Sequence, residues 1–418
     1  DELRAVPSTA KGWISIDVEM TLEQKGKKKT YRNDNHRTSS HRPLEVFLAS
    51  DPLPGFKGLY FGDAHTHSDY TDDQVEFGSP LKASVELSKS MGLSFFCVTD
   101  HSYDLDDKVD DYLTNDPALP KWHSLQSEVS KINANESTFK IVPGEEVSCR
   151  NGAGKNVHLL VLGSAKFLQG SGDSAERWFR TRGERSIEEI IRDTRGVTFA
   201  AHPKEPVSFL ERLLLGRGHW DNKDLRAAGL TGVQIANGGF GDGFRSGHES
   251  WIAALLRGER LFLLGGNDAH GNFNRFRQIG IPFFLIKEKK TQIFGKMRTG
   301  VFVEGALSQS SILDALRSGR SIVTDGPVAK IAVRGNRTYA GIGAEFAGKE
   351  ALVEIEALST AEFGALTEVT CFLGEIGKRK ESVLYKKKEN LGFQLKESFG
   401  FRIVRPGYIR LEVRSAGE

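Results

Sequence analysis

His65 and His67, in Asp63-Ala64-His65-Thr66-His67-Ser68, close an apolar run and set two imidazoles where one cation can meet both. Alternate side chains of an extended segment share a face, so the two rings point the same way. The Asp63 carboxylate is close enough along the chain to orient one ring. A lone His-x-His is common on protein surfaces. Here residues of the same kind recur at Thr99-Asp100-His101, Glu145-Glu146, His158, Ala201-His202-Pro203 and Asp268-Ala269-His270.

Imidazole and carboxylate donors without thiolates suit Zn, Mn or Fe at a catalytic site. Cys97, Cys149 and Cys371 lie far apart with no Cys-x-x-Cys pair, which excludes zinc ribbons and dithiol redox motifs. More than half of the eleven histidines, with several acids, are too many ligands for one ion, so two or three divalent ions are expected. Ions held in this way bring the pKa of a water toward neutrality and polarise a scissile bond. The chain has no Gly-x-Ser-x-Gly nucleophile elbow. Hydrolysis by metal-activated water is the chemistry that these residues predict.

Such residues need a scaffold that gathers distant segments. Seven apolar runs read as strands, at 59–61, 93–98, 139–142, 157–162, 197–200, 232–235 and 261–264. Most of them run directly into a proposed ligand, as strands of a parallel barrel do at their C-terminal ends. His158 instead precedes its apolar run. The turn-rich Asn151-Gly152-Ala153-Gly154-Lys155-Asn156 predicts a hairpin that sets His158 beside Ser148 and near Glu146. That loop lacks the Gly-Lys-Ser/Thr and the helix of a phosphate cradle. Ser79-Pro80 predicts the N-cap and first turn of a helix that runs to Met91-Gly92. Ile187, Ile190 and Ile191 mark one face of a second helix over 185–195.

The fold class predicted is α/β, a barrel flanked by β-rich regions. An N-terminal β-rich extension covers 1–57, with a half-buried strand at Trp13-Ile14-Ser15-Ile16 and an exposed loop from Lys25 to His41 whose His36 and His41 face solvent. The barrel covers 58–306. A linker helix (Ile312, Leu313, Leu316) and a C-terminal β-sandwich follow over 307–418, with a solvated, charged edge at 378–388. The net charge of +2 is scattered over 57 Lys and Arg and 55 Asp and Glu, which supplies no nucleic-acid footprint. No apolar run reaches the ~18 residues of a membrane helix. Low cysteine use suits a reducing, cytoplasmic compartment. The partner expected is a small, anionic substrate, and the oligomeric state is not fixed by these patterns.

Asp63-x-His65-x-His67-Ser68, Thr99-Asp100-His101, Pro143-Gly144-x-Glu146, His158, Ala201-His202-Pro203 and Asp268-x-His270 together resemble the motif set of the PHP (polymerase and histidinol phosphatase) superfamily over about 58–290. The resemblance implies a distorted seven-stranded (β/α) barrel, TIM-like, with up to three metals on nine ligands, and most commonly phosphoester hydrolysis. Some members are polymerase-associated exonucleases. Carried over by position, the ligands are His65, His67, His101, Glu146, His158, His202, Asp268 and His270, with Glu146 bridging two metals. The ninth is Asp72 or Asp73, and the Ser-x-x-Ser-Asp-Gly spacing favours Asp72. Asp100 would support the site from behind, and Glu145 would face away. Leu316-x-x-Gly319-Arg320-Ser321-x-x-Thr324-Asp325-Gly326-Pro327 before a β domain is similar to the branch containing carbaryl hydrolase, which acts on an aryl carbamate ester.

Four residues are candidate substrate contacts. Lys204 and Arg275 could hold an anionic group, Asn237 ends a strand that carries no ligand, and His248 could protonate a leaving group. His123 and His219, each beside a tryptophan, read as packing residues. Alternatives to the phosphoesterase are a carbamate, carboxyl-ester or amide hydrolase on the same metals, an exonuclease, and a non-catalytic binding protein.

Overall fold

The computed structural model describes residues 10–33, 43–72, 77–173, 182–271, 278–281, 284–287, 292–389 and 391–417. One curved sheet runs through Phe262–Gly266, Gly232–Asn237, Val197–Ala200, Asn156–Leu162, Lys140–Arg150, Phe95–Val98, Leu59–His67, Arg298–Phe302 and Ser321–Thr324 in that spatial order. Its central strands are buried on both faces, which is why Phe95-Phe96-Cys97-Val98 and residues 157–162 read as continuous apolar runs. After Phe262–Gly266 the chain returns to the Leu59–His67 strand. Ala269 and His270 pair in parallel with Thr66 and His67, and Asp268 N donates to His65 O at 2.8 Å. These contacts nearly close the sheet into a barrel.

All seven expected strands are present, but the wall is mostly strand and few helices cover it. Asn156–Leu162 runs antiparallel to both neighbours. Its hairpin register sets His158 opposite Ser148 and Leu160 opposite Glu146. Against Phe95–Val98, the Leu59–His67 strand slips register between Asp63 and Thr66. An irregularity of this kind re-aims side chains and is common beside active sites.

The helix after Ser79 spans Leu81–Ser90 with Pro80 at its N-cap and no side-chain cap. Ser79 Oγ is engaged with Ser84 Oγ instead, at 2.8 Å, so the expected serine cap is not formed. Ile187–Asp193 opens on a capping box from Ser186 and Glu189. It buries Ile187, Ile190 and Ile191 among Trp220, Trp251 and Val147.

The barrel sheet continues past residue 306. Helix Gln309–Arg317 buries Ile312, Ala315 and Leu316 against Phe199 and Val301 of the barrel, and Ser321–Thr324 pairs antiparallel with Arg298–Phe302. The chain then enters two antiparallel sheets, one of Tyr339–Ala340, Val328–Arg334, Glu350–Leu358 and Gln394–Arg402, the other of Ser382–Lys388, Leu366–Glu375 and Gly407–Ser415. Val353, Ile355, Val369 and Cys371 close a shared apolar layer between them.

At the N-terminal end, Gly12–Ile16 pairs with Leu44–Leu48. The exposed loop expected from Lys25 is instead the far half of a hairpin, Glu19–Gln24 against Lys27–Arg32. Lys25 (φ 52°) and Gly26 (φ 73°) make its two-residue turn, the left-handed pair that tight hairpins require. His36 and His41 lie outside the described residues. No described helix is long and apolar enough to cross a membrane.

Candidate metal centre

Glu146 lies on the Lys140–Arg150 strand, buried at the centre of the cluster. His158 Nδ1 is 2.7 Å and His202 Nε2 is 2.9 Å from its Oε1. Its Oε2 faces His65 Nε2 at 3.2 Å, His67 Nε2 at 3.3 Å and His101 Nδ1 at 3.3 Å. Asp268 Oδ1 stands 3.2 Å from His67 Nε2 and 3.4 Å from His65 Nε2. His270 stacks on His67 with ring centres 4.0 Å apart.

Among the described residues three sets of ligand atoms emerge, each with all members within 4.8 Å of one another: His67, His101 and His270; His65, His67, Glu146 and Asp268; and Glu146, His158 and His202. Glu146 and His67 each serve two sets. Two of the anchoring residues hold strained backbone. His202 has φ 27° and Asp268 has φ 52°, left-handed values that residues other than glycine seldom adopt and that concentrate at functional sites.

The hydrogen bonds behind the rings decide what faces inward. His65 Nδ1 is 2.9 Å from Gln234 Oε1, and the Gln234 amide nitrogen donates to Asn237 Oδ1 at 3.2 Å. The Gln234 oxygen therefore accepts from His65 Nδ1–H. This leaves the Nε2 lone pair aimed at the carboxylates of Glu146 and Asp268. Glu146 Oε2 is buried without a hydrogen bond, although three ring nitrogens crowd it. Acceptors pointing at acceptors in a buried space repel unless a cation lies between them.

The titration behaviour follows from the same packing. Burial would raise the Glu146 pKa, yet His158 and His65 hold it well below the ordinary range. Asp268 is also depressed against its burial, by His65 and His67. Burial opposes charge on His65 and His67, but Glu146 and Asp268 raise both imidazoles. His158, between Glu146 and Asp173, is lifted to about 10 despite burial. At His202 burial prevails and its pKa falls.

The other sequence candidates take varied positions. Asp72 stands outside the three sets, ion-paired to the Lys121 ammonium, while Asp73 and Arg275 lie outside the described residues. Asp100 accepts from Ser68 N at 2.7 Å, Ser68 Oγ at 2.6 Å and Thr71 Oγ1 at 2.9 Å, which fixes the turn behind His67. Glu145 turns away to Ser102, Trp122 and Leu168 N, and burial pushes its pKa up to about 8.

Asp63 does not orient a ring as expected. Its carboxylate accepts from His65 N, Asn267 N, Asn267 Nδ2 and Gly295 N at 2.6–3.2 Å, tying backbone together while Gln234 orients His65. Asn237 reaches the edge of the cluster, with Nδ2 3.4 Å from Asp268 Oδ2. Lys204 Nζ donates to Trp220 O at 2.6 Å and braces its own loop.

His248, a candidate general acid, lies apart from the clustered ligands. It sits on helix Asp242–Leu256, stacks on Phe244 and faces Glu412 of the C-terminal sheet at 3.4 Å. There it lines a groove of about 1540 Å³ that includes none of the clustered ligands.

Sequence reasoning missed Gln234, Asn267, Gln292 and Asp173. Gln234 was detectable as the one polar side chain inside Val233-Gln234-Ile235. Gln292 Nε2 donates to Asp268 Oδ2 at 3.0 Å. Asp173 accepts from His158 Nε2 at 2.9 Å, but its Gly-Ser-Gly-Asp loop carries no periodic signal.

No family model and no curated protein matches the chain. Among solved structures it is similar to a two-domain protein from Bacteroides vulgatus described as containing a predicted PHP-like metal-dependent phosphoesterase. The identity is 13% and the TM-score 0.41, over 87% of this chain and 93% of that one.

Proposed function

We propose that this chain is a metal-dependent hydrolase of the PHP type that cleaves a small anionic phosphoester on two or three divalent ions of Zn, Mn or Fe. The observation that carries the reading is the buried Glu146 Oε2, which has no hydrogen bond and faces inward-aimed imidazole nitrogens. The donors fit such ions by type, being imidazole nitrogens and carboxylate oxygens without a thiolate. His65, His67, His101, Glu146, His158, His202, Asp268 and His270 would hold them, with Glu146 shared. When bound, the ions would acidify a water and polarise the phosphoryl oxygen.

The chain's own groups do the positioning. Gln234 fixes the His65 tautomer, Asn237 and Gln292 orient Asp268, and Asp100 holds the turn after His67. The walls exclude bulk water, since His65, His67, His101 and Glu146 are almost fully buried.

A second reading, hydrolysis of a carbamate, carboxyl ester or amide on the same centre, draws support from one feature. The short helix Phe209–Leu214, which follows His202, leaves Phe209, Leu210, Leu213 and Leu214 exposed. An apolar group beside the scissile bond could lie there. Elemental analysis of the purified protein, followed by phosphomonoesters, phosphodiesters and aryl esters, separates the readings. Turnover of an aryl ester with none of any phosphoester would overturn the first, and metal-free protein with full activity would overturn both.

A further inference from the structure

His158 is gripped from behind by a fully buried carboxylate. Its Nδ1 faces Glu146 Oε1 at 2.7 Å, and its Nε2 is 2.9 Å from Asp173 Oδ2. Asp173 itself is held by two further donors. Ser148 Oγ, opposite His158 in the hairpin register, donates to Oδ1. Arg217 Nε donates to Oδ2 at 2.8 Å. The Asp173 side chain has no exposure and that of Arg217 has 28%.

Arg217 comes from the loop that leaves His202. That loop is closed at its base by Trp220 N donating to Pro203 O at 3.1 Å, and is stitched to the hairpin by Asn156 N to Gly216 O at 3.0 Å and Gly218 N to Asn156 O at 2.9 Å. The segment that carries one ligand of the Glu146, His158 and His202 set therefore returns a guanidinium to the carboxylate behind another.

We propose that Asp173 is a positioning residue for that set, with Arg217 as its clamp. Asp173 accepts the Nε2–H of His158, which fixes the tautomer, keeps the Nδ1 lone pair directed at the metal position and raises its basicity. Ser148 and Arg217 each occupy a further acceptor direction of the carboxylate and hold it against His158. Asp173 does not belong to any of the three ligand sets, and its effect on metal is exerted through His158. Sets built on His65, His67, His101, Asp268 and His270 do not touch it.

This inference rests on the metal-centre reading, and the test separates the two. Metal content and affinity are measured by elemental analysis and by competition with a chelating dye, using Zn and Mn alone, on the wild type and on Asp173→Asn, Arg217→Gln and Arg217→Lys. Asp173→Asn is expected to weaken one metal equivalent by about 10–100-fold, the range for loss of a partner behind a metal-bound histidine, with the other equivalents unchanged. Arg217→Gln, at a partly exposed side chain, should weaken the same equivalent less, and Arg217→Lys should restore it in part. Wild-type affinity in Asp173→Asn, or equal weakening of every equivalent, overturns the proposal. If Asp173→Asn fails to fold, unchanged affinity in Arg217→Gln overturns it alone. A wild type that binds no metal overturns this inference and the proposed function together.

Discussion

Asp63→Asn tests whether the ends of the barrel are joined through a buried carboxyl group. The wild-type carboxylate accepts from the backbone of His65, Asn267 and Gly295 and from the Asn267 amide, and so links three segments. Burial lifts its pKa from 3.8 to about 6 even against these bonds. Between those values the native protein keeps a proton that the unfolded chain releases. The Asp63 contribution to stability is thus complete below the unfolded pKa and falls as pH rises through the folded one. The full fall is about 3 kcal/mol, of which about 2 kcal/mol lies between about pH 4.5 and about pH 7.5.

Asparagine keeps the shape but turns an amide nitrogen toward two of the four donors. Each orphaned donor costs about 1–3 kcal/mol at any pH. The variant lacks the titration, so its deficit relative to wild type should be about 2 kcal/mol larger at about pH 4.5 than at about pH 7.5. Urea unfolding of both proteins in excess chelator at the two pH values measures this, with the shared histidine cluster cancelling in the difference. A deficit that is constant, or that grows with pH, would refute the account of Asp63.

Four further outcomes are expected. His67→Ala or Asp268→Ala should strip at least one metal equivalent and reduce turnover by more than about 100-fold, and near-wild-type activity in either would contradict the ligand assignment. Gln234→Leu removes the acceptor for His65 Nδ1–H; metal affinity should fall about 10–100-fold while circular dichroism is unchanged. Because Glu146 and Asp268 raise the pKa values of His65 and His67 against their burial, metal uptake should release protons and tighten as pH rises, as calorimetry in buffers of different ionisation enthalpy would show. In the C-terminal unit Arg410 forks onto Glu381 at 2.6 and 2.7 Å and lies 4.0 Å over the Phe372 ring; Arg410→Ala should cost about 3 kcal/mol, read as a lower Tm.

Composition and motif spacing were enough to pick out the residues that form the histidine and carboxylate cluster, because such residues are few in type and stand at the ends of apolar strands. His65, His101, Glu146, His202 and Asp268 could each be named from a local pattern, and the Asn151–Asn156 turn placed His158 by counting. Strand runs were equally legible, since burial on both faces leaves little but apolar side chains between turns. Helices were less so. The expected alternation gave way to a wall of strands with an antiparallel hairpin, a matter of how the sheet closes rather than of any local propensity.

What the tertiary structure alone decided is which atoms face each other. Asp63 was assigned to a ring but bonds backbone, because the Asp63–Thr66 register slip and the return at Asp268 bring Asn267 and Gly295 to it. His248 lies on a helix of the barrel, yet the C-terminal sheet places Glu412 against it. Asp173 and Gln234 set tautomers across sequence separations of 15 and 169 residues. A hydrogen bond is read from position and angle, which residue order does not encode. Donor types follow from the chain itself, while the direction of each lone pair follows from closure of the barrel.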